Sequence, residues 1–234
     1  MPSCENKVCK DNKICNPNTG RCNKPKKRTI SCADKICPSG KVCNPQTIRC
    51  KKMIQKTKIE LMKTMNDRLY FYSKSKDTVP GKGVHETVKD VTAYENLSKI
   101  KDWRKILSNF HTFPFKYDGN MYNTIEHVFQ GKKIELVDKE KALYFTLDSG
   151  NDIGKGDGEI ARKNRKLVKL NAEQLKLWNT MKDKIMFEAA LAKYSVCIEA
   201  QNVLKSTNSA QLWHVVPRSQ PVRFIHLEVI RNNL

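Results

Sequence analysis

The stretch from 125 to 137 shows the period of about 3.6 residues that is typical of an amphipathic helix. One sector of this helix carries apolar side chains, namely Ile125, Phe129 and Leu136, and the sector beside it carries Glu126, Gln130 and Lys133. Thr124 stands where a helix N-cap is expected. We therefore predict a helix whose apolar stripe is bordered by a seam of chemically capable side chains.

Shorter patterns predict the elements around this helix. Asp118-Gly119 can adopt the positive φ that a two-residue hairpin turn needs, and the run from Leu69 to Tyr72 is typical of a strand. Asn171 is the expected N-cap of the longest helix, which extends to about Val196. Together these patterns predict an α+β fold, rich in helices around a small sheet.

Two polar segments interrupt the predicted elements. Residues 75–90 are broken by Pro80-Gly81-Lys82-Gly83 and are expected to form a long loop near the site. Residues 149–158 are the most glycine-dense part of the chain and predict a mobile loop over a pocket. A Walker phosphate loop is excluded there, because the glycine spacing is one residue short and neither Ser nor Thr follows Lys155.

The long helix carries two side chains with competing interpretations. Trp178 is more typical of a core side chain than of a surface on which a ligand stacks. Lys193 lies at the edge of the apolar face, where a long stem lets the ammonium reach water. The alternative for Lys193 is an amine perturbed for catalysis.

The formal net charge of the chain is +20, and it is unevenly placed. Residues 1–66 hold +12 of this excess, although they are little more than a quarter of the 234 residues. Such a field attracts phosphate polymers or acidic protein surfaces, with an affinity that falls steeply as salt rises. The alternative is a solvated basic arm that has no dedicated partner.

No segment reaches the ~18 consecutive apolar residues that a bilayer span requires. The start of the chain, Met1 to Glu5, also lacks the apolar core of a secretory signal. We therefore expect an intracellular protein without a membrane partner.

Residues 1–52 contain two copies of one cysteine pattern. The gaps of four, five and six residues recur after a shift of 28, in Cys4, Cys9, Cys15 and Cys22 and again in Cys32, Cys37, Cys43 and Cys50. A unit this short cannot bury enough apolar surface to stay folded without cross-links. Two disulfides per unit are the first interpretation. A zinc site is the alternative, although no C-x2-C pair is present.

The segments Asn16–Arg21 and Asn44–Arg49 occupy the same place in the two copies. Their Cys-Asn-Pro-x-Thr-x-Arg-Cys pattern resembles the two-cysteine adaptor domain that occurs in tandem on proteins of large DNA viruses. This resemblance implies an attachment module for a viral protein partner. It also implies a location in an infected host cell, or in the virion, where disulfides would persist.

A second resemblance rests on Leu107-Ser108-Asn109-Phe110, on Phe113-Pro114-Phe115 and on the set Glu126-His127, Gln130 and Lys133. Their order resembles the NADAR family, the YbiA-like type, which is named for its association with NAD and ADP-ribose. The resemblance starts at Leu69-Tyr70-Phe71-Tyr72-Ser73 and runs to the end of the chain. Trp178, Met186 and Lys193 match a Trp, a Met and a Lys of the family. Leu212-Trp213-His214 and Pro217-Arg218 depart from its pattern of an Asp and a Trp-Gly pair.

The NADAR resemblance implies hydrolysis of an N-glycosidic bond. The substrate would be ADP-ribosylated guanine in nucleic acid, or a ribosylamino-pyrimidine intermediate of riboflavin synthesis. Cleavage builds positive charge on the ribose, so a carboxylate near C1 lowers the barrier and can activate water, and Glu126 is the candidate. The resemblance assigns Lys133 as an amine that attacks C1, helped by the positive charge of Lys132. No cofactor is expected.

The other candidates would surround this substrate. Gln130 and Asn109 are expected to orient the base or the ribose, and Tyr72 and Phe110 to offer stacking surface. The whole substrate-binding set is Tyr72, Asn109, Phe110, His127, Gln130, Trp178, Lys193 and Arg218. Further cations available for a diphosphate are Arg162, Lys163 and Arg165. No metal is expected, because His127, His214 and His226 lack the spacing of metal ligands.

Three parts of the chain follow from these patterns. They are two adaptor repeats (4–22 and 32–50) within residues 1–52, a linker or amphipathic helix at 53–68, and a NADAR-like domain at 69–234. The partner would be ADP-ribosylated nucleic acid or a nucleotide-like metabolite. The alternative is a viral scaffold or binding protein without catalytic activity, attached through its adaptor repeats and its basic surface.

Overall fold

The computed structural model describes residues 8–10, 13–16, 18–19, 21–23, 41–44, 49–52, 64–216 and 219–234. The chain divides into two compact units, Met1–Gln55 and Lys56–Leu234. Residues 53–63 of the predicted linker lie outside the described residues, and so does Arg218.

Both cysteine repeats contain the same small hairpin. In the first repeat β1 (Ile14–Cys15) pairs with β2 (Cys22–Asn23), and in the second β3 (Lys41–Asn44) pairs with β4 (Arg49–Lys52). Cys15 faces Cys22 in the first hairpin and Cys43 faces Cys50 in the second, so the register repeats with the 28-residue shift.

A disulfide joins Cys9 to Cys22, with 5.7 Å between their Cα atoms. Cys15 is disulfide-bonded as well. The expectation of disulfides in the N-terminal region is therefore confirmed for these described cysteines, and a zinc site does not use Cys9 or Cys22. Such a cross-link stabilises a small unit mainly by restricting its unfolded chain.

The second unit contains a three-stranded sheet. β5 (Arg68–Phe71) pairs in parallel with β8 (Gln211–His214), and β8 pairs antiparallel with β9 (Val222–Arg223). The strand predicted at 69–72 is found one residue earlier. Because β5 and β8 lie about 140 residues apart in sequence, their pairing brings the two ends of the unit together.

The predicted hairpin turn is also present. β6 (Phe115–Tyr117) and β7 (Asn120–Tyr122) pair antiparallel around Asp118 and Gly119. Both turn residues have positive φ, 47° for Asp118 and 84° for Gly119. The turn type that the Asp-Gly pair predicts is therefore the one observed.

Helices make up most of the rest of the second unit. Their bounds are α1 Glu95–Ser98, α2 Trp103–Ile106, α3 Ile125–Glu135, α4 Lys139–Leu143, α5 Asp152–Lys155, α6 Gly158–Lys163, α7 Ala172–Val196, α8 Ile198–Ser206 and α9 Ile225–Asn233. Single 3-10 turns cover Val91–Tyr94 and Asn164–Lys166. The predicted α+β class is confirmed.

Helix α7 is the axis of the core, because it packs against α3, α8, α9 and β6. It begins with a full capping box, in which the Asn171 side chain accepts from the Gln174 backbone and the Gln174 side chain accepts from Asn171. The predicted cap at Asn171 is therefore observed.

Residues 149–158 are not a loop throughout, which corrects the prediction made for them. They contain α5 and the first residue of α6, and Gly154 and Gly158 are buried. A Cβ at Gly154 would lie 2.1 Å from the Thr146 carbonyl oxygen, and one at Gly158 would lie 2.5 Å from the Phe110 ring. These glycines serve close packing, which the sequence pattern does not distinguish from loop flexibility.

Candidate functional site

The first turn of α3 places Glu126 inside the protein. Thr124 has an extended backbone, and its hydroxyl accepts a hydrogen bond of 3.2 Å from the His127 backbone amide, which satisfies a free donor of the helix end. The Glu126 backbone amide donates to the carbonyl oxygen of Asn109 at 3.1 Å. The Asn109 connection and the start of α3 are therefore held together, and Glu126 is 8% exposed.

One hydrogen bond holds the Glu126 side chain. Gln130, one turn later on α3, donates from Nε2 to Glu126 Oε1 at 2.8 Å. Burial raises the pKa of the Glu126 carboxyl above its ordinary value. The hydrogen bond from Gln130 and the charges of Arg162, Arg165 and Lys133 oppose that rise.

The cations near Glu126 come from a neighbouring segment as well as from its own helix. Arg162 is on α6 and Arg165 is in the 3-10 turn after it, and α6 packs directly on α3. The Arg162 guanidinium lies 5.5 Å from the centre of the Phe110 ring. The sequence identified Arg162 and Arg165 as available cations, and the structure places both within electrostatic reach of Glu126.

Two buried amide oxygens near Glu126 have no hydrogen-bond donor among the described residues, Asn109 Oδ1 and Gln130 Oε1. Asn109 and Gln130 are each 6% exposed, and the Asn109 amide nitrogen contacts Met186 Sδ at 3.2 Å. A buried acceptor without a donor costs free energy, and a hydrogen bond from a ligand or a water molecule removes this cost. A ribose or a base could supply these donors.

Lys133 and Lys132 have different surroundings on α3. Lys132 Nζ contacts Asp118 Oδ2 at 2.5 Å and Glu135 Oε2 at 2.8 Å, and its charge is locally compensated. Desolvation lowers the pKa of Lys132, but these two carboxylates raise it by more. The structure therefore does not support the prediction that the positive charge of Lys132 assists Lys133. Lys133 is half-buried, and no hydrogen bond or ion pair of its ammonium is found among the described residues.

The cavities lined by described residues of the second unit include the following two. The first, called here the Phe110 cavity, has a volume of about 310 Å³. Its lining consists of Ser73, Lys74, Lys105, Phe110, His111, Thr112, Asp157, Gly158 and Glu159. Neither Glu126 nor Lys133 lines it, so the expectation that both face one cavity is not met there. Arg162 and Phe110 connect this cavity to the surroundings of Glu126.

The second cavity, called here the Tyr72 cavity, has a volume of about 450 Å³. It is lined by Tyr70 of β5, by Tyr72, by residues of the 75–85 loop, and by Arg104 and Val215. Tyr72 therefore belongs to a different cavity from Phe110. Among the described residues that line this second cavity there is also no Glu126 or Lys133.

Two members of the predicted substrate-binding set are structural here, which corrects their assignment. His127 is fully buried, its Nε2 donates to the Ile153 carbonyl oxygen at 2.8 Å, and its Nδ1 pairs with the Thr124 hydroxyl at 2.8 Å. No ring nitrogen is left for a substrate. Trp178 is 5% exposed and packs edge-on against Phe129 at 4.8 Å, so it is a core side chain.

The expectation that the ammonium of Lys193 reaches water is wrong. The side chain is 1% exposed, and its Nζ donates to the His111 carbonyl oxygen at 2.5 Å. Burial lowers the pKa of Lys193 to about 7. Burial, and then the charge of Lys193, lower the pKa of His111 to about 4. The sequence pattern misses this because helical spacing shows the face of a residue and not what covers it.

Glu86 and Arg104 form a buried ion pair that no sequence pattern indicated. Arg104 Nη2 lies 2.8 Å from Glu86 Oε2, and the two side chains are 4% and 0% exposed. Arg104 lines the Tyr72 cavity. No local pattern could have shown this pair, because its members are 18 residues apart across a loop.

The described residues contain no group of three or more His, Cys, Asp or Glu side chains placed to hold a metal ion. Within the same residues, no helix has the length and apolar character that a membrane span needs.

Compared with known proteins, the chain matches no family model and no curated relative. Among solved structures it is similar to the E. coli protein YbiA, determined by NMR. The two chains are 17% identical over 73% of this chain and 86% of that chain, with a TM-score of 0.43.

Proposed function

We propose that the domain at residues 69–234 is an N-glycosidase that hydrolyses the bond between ribose C1 and a nitrogen, in the manner of the NADAR family. The observation that supports this most is the environment of Glu126. A buried carboxyl is held by Gln130 and lies within the field of Arg162, Arg165 and Lys133. A carboxylate for the sugar and cations for an attached diphosphate are the groups that this reaction requires.

In the direct route, Glu126 acts on a water molecule. The water oxygen forms a bond to ribose C1 while the C1–N bond breaks. The electron pair of the C1–N bond leaves with the nitrogen. Glu126 takes a proton from the water and returns one to the departing nitrogen. Burial of the carboxyl, which raises its pKa, suits this exchange because both protonation states then become accessible nearer neutral pH.

In the second route, the amine of Lys133 gives up a proton to Glu126 and attacks C1. The C1–N bond breaks, and its electron pair leaves with the nitrogen base, which takes up a proton from Glu126. Ring opening then gives a Schiff base, which water hydrolyses to release the ribose and restore the amine. Lys133 is suited to this because it has no counter-ion among the described residues and lies close enough to act on Glu126. Glu126 would carry the protons in this route as well.

The substrate that we favour is ADP-ribosylated guanine in nucleic acid, and the alternative is a ribosylamino-pyrimidine metabolite. The net charge of +20 supports the former, because a nucleic acid adds phosphates to those of the ADP-ribose. Asn109 Oδ1 and Gln130 Oε1 would accept hydrogen bonds from the base or the ribose.

Release of ADP-ribose from an ADP-ribosylated guanine oligonucleotide tests this proposal, with the pyrimidine metabolite as a parallel substrate. We expect Glu126→Gln to lower kcat by about a hundredfold or more, as loss of a proton-transfer group does. Lys133→Ala should do the same if the second route operates, because the nucleophile is then lost. Borohydride should trap the wild type on substrate only if the Schiff-base route operates.

Lys139→Ala is the matched control, because Lys139 is an exposed lysine on the adjoining helix α4. It should leave kcat unchanged. Undiminished release by Glu126→Gln would overturn the proposed role of this carboxylate, whichever route the lysine takes.

A second candidate function is binding without catalysis. It is favoured by the finding that neither described cavity is lined by Glu126 or Lys133 and that Glu126 is only 8% exposed. A wild type that is inactive on both substrates, yet binds nucleic acid in a salt-sensitive manner, would establish this candidate over the enzyme.

For the N-terminal unit we propose attachment to a viral protein, in an infected cell or in the virion. The disulfide between Cys9 and Cys22 supports a stapled module of this kind. Capture of a defined viral protein by residues 1–52, abolished by reduction of the disulfides, is the corresponding test.

A further inference from the structure

The Tyr72 cavity is lined mainly by aromatic, basic and small polar side chains. Its lining consists of Tyr70, Tyr72, Ser75, Lys76, Thr78, Lys82, Gly83, Val84, His85, Arg104 and Val215. Its volume of about 450 Å³ lies in the range of small-molecule sites. No Asp or Glu is among these lining residues.

The loop that forms one wall is fixed by the Glu86 carboxylate. This carboxylate accepts hydrogen bonds from the backbone amides of Gly81 at 2.8 Å, Gly83 at 3.0 Å and Tyr70 at 3.2 Å. Arg104 binds it through Nε at 3.0 Å and Nη2 at 2.8 Å. Glu86 therefore ties the loop to β5, and Arg104 compensates its charge.

Arg104, the partner of Glu86 in the ion pair, also binds the loop directly. Its guanidinium also donates to the carbonyl oxygens of Thr78 and Val79 and lies 4.0 Å from the centre of the Trp103 ring. A loop with this many buried charge-assisted hydrogen bonds is organised before any ligand arrives, which reduces the entropy cost of binding.

His85 has an unusual backbone within this wall, with a φ of 68°. Positive φ is uncommon for a residue with a Cβ and often occurs at functional sites. The conformation places the exposed imidazole 6.0 Å from the Tyr70 ring, and Tyr70 lies nearly parallel to Trp213 at 6.2 Å. The Tyr70 ring therefore has two aromatic neighbours, Trp213 and His85.

Some polar groups of the lining, unlike the Arg104 guanidinium, are uncommitted. Among the described residues, the ammonium groups of Lys76 and Lys82 and the hydroxyls of Tyr70 and Tyr72 have no hydrogen-bond or ion-pair partner. The lining therefore offers aromatic faces together with free cations. A ligand that satisfies both has a flat ring and an anionic group.

We propose that the Tyr72 cavity binds a nucleoside monophosphate unit, with its base against the aromatic rings and its phosphate on Lys76 and Lys82. None of Glu126, Gln130, Asn109 or Lys133 lines this cavity, so the proposed site is separate from the proposed catalytic carboxylate. Nucleotide binding in the Tyr72 cavity therefore does not depend on hydrolysis of a glycosidic bond by the chain.

Equilibrium binding of the fluorescent probe 1,N6-ethenoadenosine 5′-monophosphate to the full chain tests this inference. We expect saturable binding by the wild type, weakened about tenfold or more by the double variant Lys76→Ala/Lys82→Ala, since charge-assisted hydrogen bonds are lost. Val84→Trp should weaken binding as much, by filling the cavity from a side chain that is 76% exposed and outside the core.

Two control variants show whether probe binding depends on this cavity in particular. Lys101→Ala and Lys139→Ala each remove an exposed lysine that does not line the cavity. Both should bind the probe like the wild type. The proposal is overturned if the wild type shows no saturable binding, if Val84→Trp binds normally, or if Lys101→Ala or Lys139→Ala weakens binding as much as the cavity variants.

A free nucleotide and a nucleotide unit of a single strand share this chemistry, and competition distinguishes them. Displacement of the probe by AMP at lower concentration than by a tetranucleotide, per nucleotide, identifies a free nucleotide as the ligand. The reverse order identifies a strand.

Discussion

Gln130 Nε2 donates a 2.8 Å hydrogen bond to Glu126 Oε1, one turn apart on α3. This bond favours the ionised carboxylate and so opposes the rise in the pKa of Glu126 that burial causes. Gln130→Leu removes the donor, and we expect the pKa of Glu126 to rise further. If ionised Glu126 is the base, the acid limb of the pH profile of kcat should move to higher pH in this variant.

The control for this prediction is Gln174→Leu, which alters a glutamine in the cap of α7 instead. Its acid limb should coincide with that of the wild type, even if its stability falls. An acid limb for Gln130→Leu that is unmoved or moves to lower pH would contradict the role given to this hydrogen bond.

Local chemistry explains which elements could be predicted. The turn at Asp118-Gly119, the cap at Thr124 and the capping box at Asn171 each depend on a few neighbouring residues, and the structure contains all three. The seam of Glu126, Gln130 and Lys133 beside an apolar stripe followed from helical spacing. The positions of Arg162 and Arg165 did not, because they depend on how α6 packs on α3.

Long-range packing explains the errors. The helical pattern placed Lys193 at an edge, but the segment containing His111 covers that edge and accepts its hydrogen bond. His127 was predicted to bind substrate, but its Nε2 donates a hydrogen bond to the carbonyl oxygen of Ile153, which is distant in sequence. In both cases a partner from another part of the chain decides the role.

The buried pair of Glu86 and Arg104 should be costly to break. Glu86→Gln leaves the Arg104 charge buried without its counter-ion, and we expect the free energy of unfolding to fall by about 3–5 kcal/mol in urea denaturation. The exposed pair of Glu95 and Lys99 has a similar N···O distance, 2.7 Å, and Glu95→Gln should have little effect.

A double variant checks that the cost arises from the unpaired charge. Glu86→Gln/Arg104→Met removes both charges, so it should lose less free energy than the sum of the two single variants. Strict additivity would show that the pair is not coupled in the folded protein.

His226 should make the protein sensitive to acid. Burial first, and then the charge of His214, lower the pKa of His226 from 6.5 to about 4, against an opposing effect of Asp183. As pH falls from about 6.5 to 4, the unfolded chain takes up a proton that the folded chain refuses, so stability is lost. His226→Phe should reduce this loss by on the order of 1–2 kcal/mol.

Urea denaturation at pH 7 and at pH 4.5 measures the effect of His226. His85→Phe is the comparison, because His85 is exposed, and it should keep the acid sensitivity of the wild type. Equal acid sensitivity in His226→Phe and the wild type would refute the assignment.

Lys193 should make the free energy of unfolding depend on pH in the alkaline range. Burial lowers its pKa from 10.5 to about 7, so between these values the folded protein has released a proton that the unfolded chain still holds. The free energy of unfolding therefore gains a contribution as pH rises from 7 to 10.5, and this contribution is lost as pH falls toward 7. Lys193→Met should lack that rise.

Two measurements separate this effect from a general loss of stability. Lys176→Met, at an exposed position on the same helix, should retain the rise with pH in urea denaturation. In NMR titration, Lys193→Met should raise the pKa of His111, because the charge of Lys193 is one of the two causes that lower it. If the pKa of His111 stays unchanged while stability falls at every pH alike, Lys193 is a packing residue whose charge has no influence on this site.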